Sequence, residues 1–163
     1  MGNLSEIGYF KRAIVDLILT DATSVDLIKI DKPEGFQPED LFMKNVFDYG
    51  KVPDIKQGAE TYVLVEAGVP RINSNNRTLK DVEFRITIIS HDDVMRVNGS
   101  TLTRTDFLAS RIDELLNGNR DIGGVSRVEL ESSMPGVLDT GQPFRVSVYR
   151  VTETNGRRCM VDA

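Results

Sequence analysis

Apolar residues recur along this chain in two rhythms, one helical and one extended, and their order sets the predicted architecture. Ile7, Phe10, Ile14, Leu17 and Ile18 are three and four positions apart, which lines them along one face of a helix and leaves Lys11, Arg12 and Asp16 elsewhere. The polar "DATS" ends that helix, and "VDLIKID" reads as a short strand before Pro33. In "TYVLVEAGV" Val63, Val65, Ala67 and Val69 share one strand face, as do Val82, Phe84, Ile86 and Ile88 in "VEFRITIIS". Both read as half-buried antiparallel strands, joined by the polar "PRINSNNRTLKD", too long for a two-residue turn and so a projecting hairpin tip.

A second helix is predicted over about residues 104–117. Thr103 can cap it, Asp106 stands where a capping box places an acid, Leu102 can staple onto Phe107, and Gly118 after Asn117 supplies a left-handed stop. Leu108, Ile112, Leu115 and Leu116 form its apolar stripe. Two more strands follow: "SRVELESS", with Val128 and Leu130 inward, and "PFRVSVYRVTET", with Phe144, Val146 and Val148 inward. Turn chemistry in "MPGVLDTGQ" links them. The order predicts one α+β domain over residues 1–152, a mostly antiparallel sheet of four or more strands with two main helices on one face, and an exposed tail at 153–163.

Residues 32–60 break both rhythms. Three prolines and three glycines are scattered among Phe36, Leu41, Phe42, Val46, Phe47 and Tyr49, a composition unlike a flexible linker because each buried aromatic is worth roughly 1.5–3 kcal/mol. The segment is expected as an extended arm, with a short strand or helical turn, lying against the body or a partner.

Composition narrows the function classes. Of the 163 residues 40% are apolar and 28% charged, which fits a globular domain, and no apolar run approaches the roughly 20 residues of a spanning helix. The net charge of −5 argues against a protein built to grip phosphate backbones. The lone Cys159 forms no internal disulfide, which suits a reducing cytoplasm, and "MGNLSE" departs from a myristoylation signal at its sixth residue.

The sole histidine stands in "SHDD", beside Asp92 and Asp93. Zinc needs three or four convergent ligands, and one histidine with one distant cysteine cannot supply them. A magnesium or calcium site built from Asp92 and Asp93 with Glu83 or Glu129 needs the chain to turn there, since neighbouring strand residues face opposite ways. His91 has no nucleophile motif beside it, and "GNRDIGG" follows a helix, as an exit turn does, instead of preceding one. No cofactor is implied.

The runs "FRITIISHDD", "VMRVNGSTLT", "DFLASRIDELLNG", "GVSRVELESS" and "GQPFRVSVYRV" resemble, in order and length, the tail terminator proteins of long-tailed bacteriophages. The resemblance implies a virion protein made in the host cytoplasm that caps the tail tube as a hexameric ring at the head-proximal end. Its expected partners are copies of itself, the tail tube protein and a head-completion or neck protein, with DNA only passing through the lumen and no membrane. On this view Asn73, Asn75, Asn76 and Arg77 at the hairpin tip, and Asp92, Asp93, Arg96 and Asn98 beyond the strand, face stacked partners. Phe42, Phe47 and Tyr49 of the arm face the adjacent subunit. A neck or head-completion connector, and a metal hydrolase using Asp92 and Asp93, are the alternative readings.

Overall fold

A computed structural model describes residue 4, residues 6–51 and residues 58–154. The expectations for an N-terminal lipid signal, for Cys159 and for the tail from 155 onward lie outside the described residues.

The helical stripe at the start forms α1, Ile7–Thr20, which buries Phe10, Ile14, Val15, Ile18 and Leu19. The strand expected in "VDLIKID" is instead a second helix, α2, Ala22–Ile28. A short apolar run reads equally as strand or helix, and the cap decides it: the Asp21 carboxylate accepts the backbone N–H of Ser24 at 2.9 Å. The arm then makes a single-turn 3-10 helix, Pro38–Leu41, and a two-residue strand, β1, Val46–Phe47. Leu41 and Val46 join the main core, so the described part of the arm lies against the body.

Strands β2, Thr61–Ile72, and β3, Leu79–Ser90, form the long hairpin. After α3, Arg104–Leu116, the chain returns as β4, Glu129–Val137, and β5, Pro143–Thr154. The sheet order is β1-β2-β3-β5-β4, with β1 parallel to β2 and every other pair antiparallel. The fold is thus α+β, a five-stranded, mostly antiparallel sheet with three helices.

All three helices lie on one face. Register fixes which strand residues meet them: Val65 pairs with Ile86, Ala67 with Phe84, Phe84 with Tyr149 and Val82 with Val151, and this row carries the main core. Phe10 on α1 meets Phe84 edge-on, with ring centroids 5.8 Å apart.

Two inward faces differ from expectation. In β5 the helices cover Ser147, Tyr149 and Val151, while Phe144, Val146 and Val148 take the opposite face. A shift of one residue flips every side chain of a strand, and both parities of this one carry apolar residues. In β4 Val128 is buried just before the strand, but Leu130 is exposed. The strand also runs on through "MPGV", where a turn is expected. Pro135 is tolerated because β4 is an edge strand. Gly136 lies under the Phe144 ring, where an added Cβ would come within 2.4 Å of Cζ.

Helix α3 begins as expected, with Thr103 Oγ1 accepting the N–H of Asp106 at 3.3 Å. The capping box is not completed, because Asp106 Oδ1 accepts Nε of Arg145 at 2.8 Å, which ties the helix to β5. Leu102 stays exposed, and Phe107 packs on the main core.

Candidate interaction surface

The expected polar surfaces are placed by the long hairpin. Strand β3 stops at Ser90, whose hydroxyl is buried against that of Thr61 at 3.0 Å. His91 then caps a 3-10 turn, Asp92–Val94, its Nδ1 accepting the N–H of Asp93 at 3.1 Å. Asp92 and Asp93 are exposed in this turn, and among the described residues no three His, Cys, Asp or Glu side chains gather as a metal site. Arg96 and Asn98 are exposed in the following loop.

That loop is held from beneath. Arg104, buried at the start of α3, donates from Nε to the carbonyl of Val94 at 2.6 Å and from Nη1 to that of Leu27 at 2.9 Å. The guanidinium thus satisfies a carbonyl in the last turn of α2, and burial lowers its pKa.

At the opposite end of β3 the tip is shaped by its asparagines. Asn73 Oδ1 accepts the N–H groups of Asn75 and Asn76 at 2.9 and 3.1 Å, and Asn76 Oδ1 accepts that of Thr78 at 3.0 Å. Asn75, Asn76 and Arg77 are exposed, whereas Asn73 is half-buried. Because β3 spans twelve residues, tip and loop are about 36 Å apart and belong to opposite ends of the molecule.

The arm residues divide. Phe47 is 2% exposed, in a small second cluster with Leu64 and Ile89 on the helix-free face, so it anchors the arm and offers no surface to a partner. Phe42 is half-buried beneath the Arg12 guanidinium, 4.7 Å from its ring centre. Tyr49 is 41% exposed and meets Phe47 edge-on at 5.6 Å.

Two features escape the sequence reading. The helix-free face is one: Phe144, Val146 and Val148 lie beside exposed Met134 at its apolar end, and Arg71, Asp81, Arg150 and Glu131 link β2, β3, β5 and β4 at its charged end, with Arg71–Asp81 and Arg150–Glu131 both at 2.8 Å. The apolar residues on both parities of β5 are the signal that could have found it.

The other is a pocket of about 540 Å³ beside β1, lined by Lys29, Lys44, Lys51, Phe36, Phe47 and Tyr62 among others. Glu60 at its wall accepts from Lys29 Nζ at 2.6 Å, which chiefly holds its pKa below the usual carboxylate range, and also from Tyr62 and Asn45. Residues far apart in sequence build this pocket, so no local motif announces it.

Among the described residues no helix is long and apolar enough to cross a membrane. No curated protein matches the chain. The model of the YomW family matches residues 13–151, and the chain belongs to that family.

Proposed function

We propose that this protein is a structural component of a bacteriophage particle, a tail terminator that closes the tail tube as a hexameric ring and offers a second surface to head or neck proteins. One relationship carries the reading beyond the resemblance itself: the exposed residues of the tip at 73–78 and of the loop at 91–98 are polar, both segments are shaped by internal hydrogen bonds, and they lie at opposite ends of β3. A subunit with its hairpin along the ring axis presents one such surface to the tube below and the other to the neck above. Its lateral edges, β1 and β4, are left for neighbouring copies. The acidic balance suits a lumen through which DNA slides without sticking.

The test is a deletion of Asn73 to Asn76 in the phage. The expected result is a folded protein and particles with uncapped tails of irregular length. Normal tail length and infectivity would refute the assignment, and antibody labelling at a virion end other than the head-proximal end of the tail would move the protein elsewhere in the particle.

A further inference from the structure

Two Asn-Gly pairs stand among the described residues, Asn98-Gly99 after β3 and Asn117-Gly118 at the end of α3, and both asparagines are exposed. Asparagine followed by glycine is the pair most prone to losing its side-chain amide, because no Cβ keeps the glycine nitrogen away from the asparagine Cγ. Hydrogen bonding separates the two pairs where exposure does not.

At the end of α3 both reacting groups are held. The Gly118 N–H donates to the carbonyl of Val128 at 2.7 Å, and Asn117 Oδ1 accepts the N–H of Leu130 at 3.3 Å. Attack there needs both bonds broken, since the nitrogen must lose its proton and the carboxamide must turn towards it. After β3 both groups are open. Ser100 donates its N–H to the carbonyl of Val97 at 3.2 Å and Gly99 has φ +76°, which makes residues 97–100 a type II turn with Asn98 and Gly99 at its corners. That turn is reason enough for glycine at 99, yet it leaves the Gly99 N–H and the Asn98 carboxamide with no hydrogen-bond partner among the described residues. Nothing stands within 4 Å of where a Cβ on Gly99 would lie. The Arg96–Thr103 bridge, and the Arg104 N–H on the Met95 carbonyl at 2.7 Å, close the base of this lobe, so a change at its tip leaves the sheet and α3 intact.

We infer that Asn98 is a site of spontaneous deamidation and that Asn117 is spared. The Gly99 nitrogen, its proton lost to base, bonds to Asn98 Cγ; the Cγ–Nδ2 bond breaks, the side-chain nitrogen leaves as ammonia, and a succinimide ring is closed. Water then opens the ring at either carbonyl, giving aspartate or isoaspartate with no oxidant or reductant consumed. Either product adds a carboxylate to the loop that carries exposed Asp92 and Asp93, so this surface grows more acidic with age, whatever it meets.

Ageing the purified full chain tests this, in neutral buffer, in mild base, and in mild base with guanidinium chloride, each followed by trypsin and mass spectrometry. Trypsin cuts after Arg96, Arg104, Arg111 and Arg120, so Asn98 is the only amide side chain of one peptide, 97–104, and Asn117 reports in another, 112–120, where fragment ions separate it from Asn119. In the folded protein the peptide 97–104 should gain about 1 Da, faster in base than in neutral buffer. It should do so at least about ten times as fast as Asn117 is converted. In guanidinium, where the bonds that hold Asn117 are gone, the two should convert at similar rates. Folded protein in which 97–104 keeps its mass, or in which Asn117 converts as fast, overturns the inference. An undiminished preference for Asn98 in guanidinium also overturns it, because the neighbouring residues and not the fold would then set the rates.

Discussion

Arg111 on α3 grips Asp21, the residue that caps α2, through two hydrogen bonds, Nε to Oδ2 at 3.0 Å and Nη2 to Oδ1 at 2.6 Å. One carboxylate therefore holds the start of one helix and the side of another. These two residues are 90 positions apart, and their pairing fixes how α2 and α3 lie on the sheet.

This pair makes stability depend on acid. The Arg111 hydrogen bond is the main reason the Asp21 pKa falls to about 2. A depressed carboxylate pKa stabilises the fold above the unfolded value near 3.8, and the contribution is lost as pH falls towards 2. After discounting for solvent around Arg111 it is worth about 1 kcal/mol. Asp21→Ala, which also removes the cap, should cost about 2 kcal/mol at pH 7 and flatten the acid limb of a urea-denaturation series between pH 4 and pH 2.

The arm should divide into anchor and surface. Phe47→Ala empties a buried site and should cost about 3–4 kcal/mol in chemical denaturation. Tyr49→Ala should cost less, about 1 kcal/mol, because the residue keeps 41% of its surface in solvent and its loss leaves no closed cavity. Equal losses would mean that the two aromatics are held alike.

Tyr149 is fully buried, and its hydroxyl lies 3.1 Å from Asp113 Oδ1. Burial foremost, with the Asp113 charge, pushes its pKa far above the ordinary phenol value. The folded state keeps this proton, so its contribution is intact below the unfolded value near 10 and is lost as pH rises beyond it. Absorbance titration should find one of the four tyrosines ionising only as the protein unfolds in base, and Tyr149→Phe should remove that step. The variant should lose about 1 kcal/mol at pH 7.

Arg104 holds the loop after β3 to the end of α2. Arg104→Met keeps much of the buried volume but leaves the carbonyls of Val94 and Leu27 without this donor, and should cost about 2–3 kcal/mol. Limited proteolysis should then cut first within residues 91–98. If the proposed function is right, this variant should also impair tail capping while the tip at 73–78 is unchanged.

The legible parts of this protein were those whose signals are local. The three-and-four spacing of Ile7, Phe10, Ile14 and Ile18 sufficed for α1, the Thr103 cap and the Leu108 to Leu116 stripe for α3, and strict alternation for β2 and β3. The polar tip and loop could be located because a chain leaving a regular strand must satisfy its backbone with Asn, Asp and Ser side chains.

By itself, then, the sequence determined the α+β class, the long hairpin, and the helix that rests on it. Only the tertiary structure decided which face of β5 points inward, because both parities are apolar and the choice falls to Tyr149 filling the core and reaching Asp113. It also decided that the "VDLI" of "VDLIKID" is helix, through Asp21 gripped from a distant element, and that Phe47 is an anchor. The basic pocket exists only once Lys29, Lys44, Lys51 and Glu60 meet beside β1. Each of these outcomes depends on contacts between residues far apart along the chain, and a periodic pattern carries no record of what will stand opposite it.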